Sequence, residues 1–144
     1  MSELLLDVTG LSKYYGNRIG CADVNFDLWP GEVMGIVGES GSGKSTLLNC
    51  LAGQVEANFG EVFFNTRSEG MKDTFQMSEP ERRMLSRTDW AFVHQNARDG
   101  LRMNVSAGGN VGERLMAVGS RHYGKIRNKA VDWLERVEIH NSRI

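Results

Sequence analysis

Apolar positions fall into short runs along the first two thirds of the chain and into a helical repeat near its end. Leu4-Leu5-Leu6-Asp7-Val8 is a compact apolar run closed by Thr9-Gly10, and Val24-Asn25-Phe26-Asp27-Leu28 alternates apolar with polar. Alternation of period two predicts a half-buried antiparallel strand. Trp29-Pro30-Gly31-Glu32 reads as a turn, because Pro presets φ and Gly supplies freedom. Val33-Met34-Gly35-Ile36-Val37 is apolar throughout, the pattern of a strand buried on both faces. A glycine-rich loop over 38–43 leads into Lys44-Ser45-Thr46-Leu47-Leu48-Asn49-Cys50-Leu51-Ala52, which reads as a helix closed by Gly53.

Farther on, Gly60-Glu61-Val62-Phe63-Phe64 is a strand candidate, and 65–77 carries no clear period and reads as an exposed loop. Ser78-Glu79-Pro80-Glu81 is a helix start: Ser78 caps, Pro80 sits in the first turn and Glu81 completes a capping box. That helix is expected to reach about Arg87, with Arg82, Arg83 and Arg87 on its solvated face. Trp90-Ala91-Phe92-Val93-His94 predicts a second buried strand ending at Gln95. A short helix is expected over 111–118. Ile126, Ala130, Trp133, Leu134 and Val137 recur at helical spacing opposite charged residues, which predicts an amphipathic helix.

Composition adds mostly exclusions. A length of 144 residues suits one domain. Seventeen Lys and Arg against 18 Asp and Glu leave a net charge of -1, so no basic excess points to nucleic acid. No apolar run approaches the roughly 20 residues a spanning helix needs, and Met1-Ser2-Glu3-Leu4 lacks a secretory basic region. A cytoplasmic protein without membrane insertion is the expectation. Cys21 and Cys50 form no CxxC and read as small buried hydrophobes. His94, His122 and His140 are scattered and form no metal or catalytic set, and the methionines read as core filler.

One motif carries chemistry. Gly38-Glu39-Ser40-Gly41-Ser42-Gly43-Lys44-Ser45 fits G-x-x-x-x-G-K-[ST], with Thr46 after it, between an expected buried strand and a helix. A polyphosphate needs many donors in a small concave space. Glycines let successive N–H groups turn inward, and the helix start adds unpaired N–H groups and a positive dipole end. Lys44 would supply a cation to the β- and γ-phosphates. The Ser45 hydroxyl is a hard oxygen ligand suited to Mg²⁺, and Thr46 adds a hydroxyl near the α-phosphate. Gly41-Ser42-Gly43-Lys44-Ser45-Thr46 fails the dinucleotide pattern G-x-G-x-x-G at its last position.

This loop, the strand block before it and the strand ending in Gln95 resemble the N-terminal half of an ABC-type ATP-binding cassette. The resemblance implies an α/β P-loop NTPase: a mixed sheet with an antiparallel β subdomain and the start of a helical subdomain, truncated. ATP and Mg²⁺ are the cofactors it implies, bound by Gly38, Ser40, Gly41, Ser42, Gly43, Lys44, Ser45 and Thr46. It also implies adenine stacking on Tyr15, which precedes Gly16, and contact of Gln95 with Mg²⁺ and the attacking water. The metal ligands would be Ser45 and Gln95.

Asp99-Gly100-Leu101-Arg102, Val105-Ser106-Ala107-Gly108-Gly109-Asn110 and Gly112-Glu113-Arg114-Leu115-Met116-Ala117 are more particular. They resemble the ATP-binding subunits of the bacterial carbon–phosphorus lyase system. That implies a lyase core complex and a second ABC subunit, identical or not, as partners. The runner-up resemblance is to the ATPases of peptide and nickel importers; a third reading is a nucleotide-binding module without turnover. By this likeness residues 1–144 form a partial nucleotide-binding domain. Walker A and the Q-loop are present; a signature, a Walker B strand and a switch histidine are not. Residues 106–110 belong to the Q-loop region in this reading rather than to a signature. An intact member would be an ATP hydrolase; the fragment alone is expected to lack the catalytic half and to fold only in part.

Overall fold

The computed structural model describes residues 4–139, so His140 and the final Asn141-Ser142-Arg143-Ile144 lie outside the described residues. The chain divides into two compact units, Met1–Trp90 and Ala91–Ile144.

The first unit is an antiparallel sheet with helices on it. β1 (Leu6–Tyr15) and β2 (Arg18–Leu28) form a long hairpin; β3 (Phe59–Thr66) pairs on the other side of β1, and β4 (Gly70–Asp73) pairs with β3. The strand order is β2-β1-β3-β4. Thr9-Gly10 does not end the first strand. It marks a slip in register after Val8, where Gly10 takes φ 63 and its N–H donates to Asn25 Oδ1 at 2.8 Å. The 29–32 turn forms as the sequence predicts: Glu32 N–H donates to the Trp29 carbonyl at 3.0 Å and Gly31 takes φ 84.

Val8, Leu11, Cys21, Val62, Leu47 and Cys50 form the core between this sheet and α1 (Lys44–Leu51). Both thiols are free and buried, as expected of small hydrophobes. Burial pushes the Cys50 thiol up, with Cys21 beside it acting in the same direction. A second cluster gathers Phe64, Met77 and Leu85 with Leu5, Leu6 and Trp90. The Trp90 ring meets Phe64 edge-on at 5.2 Å, and α2 (Glu79–Thr88) supplies Leu85. Arg67 Nε stands 3.0 Å from Asp89 Oδ1, a carboxylate oxygen with no aligned hydrogen bond. An ion pair therefore links the β3–β4 turn to the end of α2.

Other expectations also need correction. Residues 33–37 pair with no strand among the described residues, and Val33 and Val37 are 94% and 92% exposed. Residues 91–94 are likewise outside any ladder, with Val93 91% exposed. An apolar run records a preference for burial, but a strand exists only where a neighbour completes its hydrogen bonds. Within 65–77 lies β4, missed because four residues are too few to show a period; Gly70 at φ 74 after a three-residue connection was its one signal. Of the methionines, Met77 is buried, whereas Met71, Met84, Met103 and Met116 are exposed.

The second unit is helical. A 3₁₀ turn (Ala97–Gly100) precedes α3 (Ala107–Ala117) and α4 (Tyr123–Arg136). Ile126, Ala130 and Leu134 are the buried stripe of α4, as the helical spacing predicts, whereas Trp133 and Val137, expected on the same face, are exposed. Gly112 is buried where a Cβ would stand 2.6 Å from Ile126 Cγ2, so its lack of a side chain lets the helices approach. α3 begins four residues earlier than expected. Ser106 caps it by accepting from Gly109 N–H at 3.1 Å.

At α2 the capping box forms: the Glu81 carboxylate accepts from the Ser78 N–H at 2.8 Å and the Ser78 hydroxyl at 2.6 Å, with Lys72 at 3.0 Å. These bonds to Ser78, and then Lys72, hold the Glu81 carboxyl at about 2, below its ordinary 4.5. A carboxyl depressed in the folded state stabilises it fully above the ordinary value and loses that contribution as pH falls toward about 2. A carboxyl NMR titration of Glu81 is expected to give a midpoint near 2. In Glu81→Gln the helical signal of α2 should lose its pH dependence across that window.

Candidate functional site

The glycine loop of residues 38–43 runs from the unpaired apolar segment into the first turn of α1. Leu47 N–H is bonded to the Gly43 carbonyl at 2.9 Å, so the N–H groups ahead of it lack an acceptor within the helix. They form the positive end of the helix dipole. Gly43 at φ 96 and Gly41 at φ 84 occupy the left-handed region, and each needs glycine on that ground.

Lys44 turns back over this loop. Its ammonium donates to the carbonyls of Gly38 at 2.8 Å and Glu39 at 2.6 Å and to Ser42 Oγ at 3.2 Å. Gly38 is tight against the same group: a Cβ there would stand 2.7 Å from Ser42 Oγ.

The loop meets the tip of the β1–β2 hairpin. Together they line a cleft of about 290 Å³ formed by Tyr15, Arg18, Ile19, Gly20, Gly41, Gly43, Lys44, Ser45 and Thr46. Gly16-Asn17 joins the two strands, with Gly16 at φ 59, and Tyr15 pairs with Arg18 in register. Lys13 Nζ lies 5.4 Å from the centre of the Tyr15 ring.

Gly20 and Gly43 are what let hairpin and loop touch. A Cβ on Gly43 would overlap the Gly20 carbonyl oxygen. A Cβ on Gly20 would stand 2.8 Å from Thr46 Cγ2, 2.9 Å from the Lys13 carbonyl oxygen and 2.9 Å from Tyr15 Cε2.

Of the residues expected to act together, Tyr15, Gly41, Gly43, Lys44, Ser45 and Thr46 line one cleft. Gly38 and Ser42 shape the loop through Lys44, and Ser40 lies in its turn. Gln95 belongs to the second unit, where it is exposed in the bend before the 3₁₀ turn. Arg18, Ile19 and Gly20 were not anticipated. Gly20 had a signal: a glycine inside an alternating strand marks a close backbone approach.

In the second unit, residues 106–110 are the cap and first turn of α3. Asn110 Oδ1 accepts from the Arg102 N–H at 2.8 Å, and its amide donates to the carbonyls of Arg102, Val105 and Ser106. Arg102 also pairs with Glu113 at 2.6 Å. Asn110 is a loop-organising residue that sequence reading missed. His122 caps α4 by accepting from the Lys125 N–H at 3.2 Å, and His94 lies edge-on to Phe92. No group of three metal-ligating side chains and no helix long and apolar enough to cross a membrane occurs among the described residues.

Known proteins resemble this chain in sequence and fold. PhnK of Escherichia coli strain K12, named as a phosphonates utilization ATP-binding protein, is 54% identical over all of this chain, which spans 55% of PhnK. The methionine import ATP-binding protein MetN of Campylobacter jejuni is 34% identical over 94% of the chain, covering 39% of MetN. The phosphonates import ATP-binding protein PhnC 2 of Oceanobacillus iheyensis is also 34% identical over 94% of the chain, covering 53% of its own length. Among solved structures, the dimeric ABC transporter cassette MJ0796 superposes with a TM-score of 0.81 at 26% identity, over 96% of this chain and 60% of that one. Its post-hydrolysis state, bound to ADP and phosphate, gives the same score. The family profile for ABC transporters matches residues 21–144. On the cleft, the fold and these likenesses together, the chain belongs to the ABC transporter family of ATP-binding cassettes.

Proposed function

We propose that this chain is the nucleotide-binding part of an ATP-binding subunit that serves phosphonate use, within a carbon–phosphorus lyase assembly. The observation that carries the reading is the 54% identity to PhnK over the entire chain, against 34% to 39% over shorter stretches to the importer ATPases. The particular run from Asp99 to Ala117 supports it through its resemblance to the ATP-binding subunits of the carbon–phosphorus lyase system; Asn110 and the Arg102–Glu113 pair hold that run in a defined shape.

The residues present fit a magnesium-bound triphosphate. The cleft has room beside unpaired helix N–H groups, and side chains added at Gly20, Gly38 or Gly43 would collide with their neighbours. Lys44 would leave the Gly38 and Glu39 carbonyls to meet the β- and γ-phosphates. Ser45 would offer its hydroxyl to Mg²⁺, Thr46 would meet the α-phosphate, and the Tyr15 ring would carry the base. Bound Mg²⁺ would supply neutralisation of the triphosphate charge. The family resemblance gives Gln95 a role toward Mg²⁺ and the attacking water. A second ABC subunit would complete the nucleotide site, in line with the dimeric MJ0796 cassette, and the subunit would work in the cytoplasm.

In the full-length protein, Lys44→Ala is expected to weaken Mg-ATP binding by at least about tenfold, the worth of a charge-assisted contact, measured by calorimetry. Gly20→Ala should cost ~1–3 kcal/mol of stability, read in thermal unfolding, because the Lys13 carbonyl cannot retreat from its ladder. For the partner, affinity purification of the tagged full-length protein from phosphonate-grown cells should recover soluble carbon–phosphorus lyase subunits. Recovery of a membrane permease in their place would favour an importer ATPase.

A further inference from the structure

Lys44, the cation the motif supplies, is committed to three acceptors of its own loop. The cleft has a second cation. Arg18 lines it, is exposed, and makes no ion pair among the described residues. Register explains why it faces the cleft. Arg18 is the direct cross-strand partner of Tyr15 at the closed end of the β1–β2 hairpin, and directly opposed residues stand on the same face of a sheet. The face that presents the Tyr15 ring therefore presents the guanidinium beside it. Gly20, the extra residue at the register slip between Tyr14 and Lys13, lies close to both the Tyr15 ring and Thr46 of α1 and brings this surface against the helix.

We propose that Arg18 binds the phosphate nearest the ribose of an adenine nucleotide. The assignment rests on the nucleotide reading of this cleft and extends it to a residue outside the glycine-loop motif. The ends of the ligand are fixed by the groups available. Tyr15 offers a flat ring for the base, and Lys44 with the loop offers donors for the terminal phosphates. Arg18 stands beside the ring, so it meets the ligand where base and sugar give way to phosphate. A guanidinium presents several donors in a rigid fork and suits a phosphate with two free oxygens. A contact at this position is shared by ATP and ADP, whereas a contact to the terminal phosphate is not.

The test uses the full-length protein, with Mg-ATP and Mg-ADP as ligands and calorimetric dissociation constants at low and high salt. Arg18→Ala and Arg18→Gln are expected to weaken both nucleotides by a similar factor, about tenfold at low salt. Arg18→Lys should recover part of the loss, and the difference from wild type should shrink as salt rises. Superimposable thermal unfolding of variants and wild type would show that the fold is intact, as expected for an exposed position. Unchanged affinity in Arg18→Ala overturns the assignment. So does a loss confined to ATP, which would place the contact at the terminal phosphate, or a loss insensitive to salt, which would mark a neutral contact. Wild-type protein that binds neither nucleotide removes the nucleotide reading and this assignment together. Wild-type protein that binds both while the Arg18 variants match it removes only the latter.

Discussion

Two segments far apart in sequence touch through bare backbone where Gly43 meets the carbonyl of Gly20, and the rest of the site depends on that contact. The hairpin tip contributes an aromatic ring and a guanidinium, and the loop contributes helix N–H groups and an ammonium. None of these makes a cleft unless the two segments come closer than side chains permit. Van der Waals repulsion is steep, so even one methyl group would force them apart. The core beneath reinforces the approach. Cys21, next to Gly20, and Leu47 and Cys50 of α1 lie in one buried cluster with Val8, Leu11 and Val62. Sheet and helix are thus held by apolar packing below and by the absence of side chains above.

The loop resolves an electrostatic problem within itself. A helix start and a lysine concentrate positive charge in a small volume, which costs free energy unless acceptors answer it. The Gly38 and Glu39 carbonyls and Ser42 Oγ answer the ammonium. An anion entering the cleft would take over that role, exchanging one set of acceptors for a stronger one. Because two of the Lys44 bonds are to backbone oxygens of the loop and the third is to the Ser42 hydroxyl, releasing them requires no unfolding of α1. Arg18 has no such internal acceptor among the described residues, so the two cations differ in what they give up to meet a ligand.

Local rules made much of this legible. The capping box at Ser78 and Glu81, the turn over 29–32 and the apolar stripe of α4 each rest on residues within a few positions of one another, and each formed. The glycine loop was legible for the same reason, since its shape is set by its own glycines. What escaped depends on pairs distant in sequence. Tyr15 and Arg18 share a face only because the hairpin register makes it so. Gly20 matters because Thr46, 26 positions on, lies against it. Asn110 looked like one polar residue in a glycine-rich run, yet its side chain bonds back to Arg102, Val105 and Ser106 and shapes the loop before α3.

The two apolar runs over 33–37 and 91–93 separate what a sequence encodes locally from what it needs from elsewhere. β1 and β3 are apolar on one face and become strands because each finds a partner whose backbone groups complete its own. Residues 33–37 have at least as strong an apolar signal, yet Val33 and Val37 face solvent because no described strand pairs with them. Burying a valine side chain is worth roughly 1.5–3 kcal/mol, and so is comparable with the cost of leaving one buried backbone group unpaired. Apolar burial alone therefore cannot draw such a segment into a core without hydrogen-bonding neighbours. An extended apolar segment with open backbone groups is also a template for another strand. The apolarity of 33–37 thus states a demand for a neighbouring strand, and it does so directly ahead of the loop that carries the candidate chemistry.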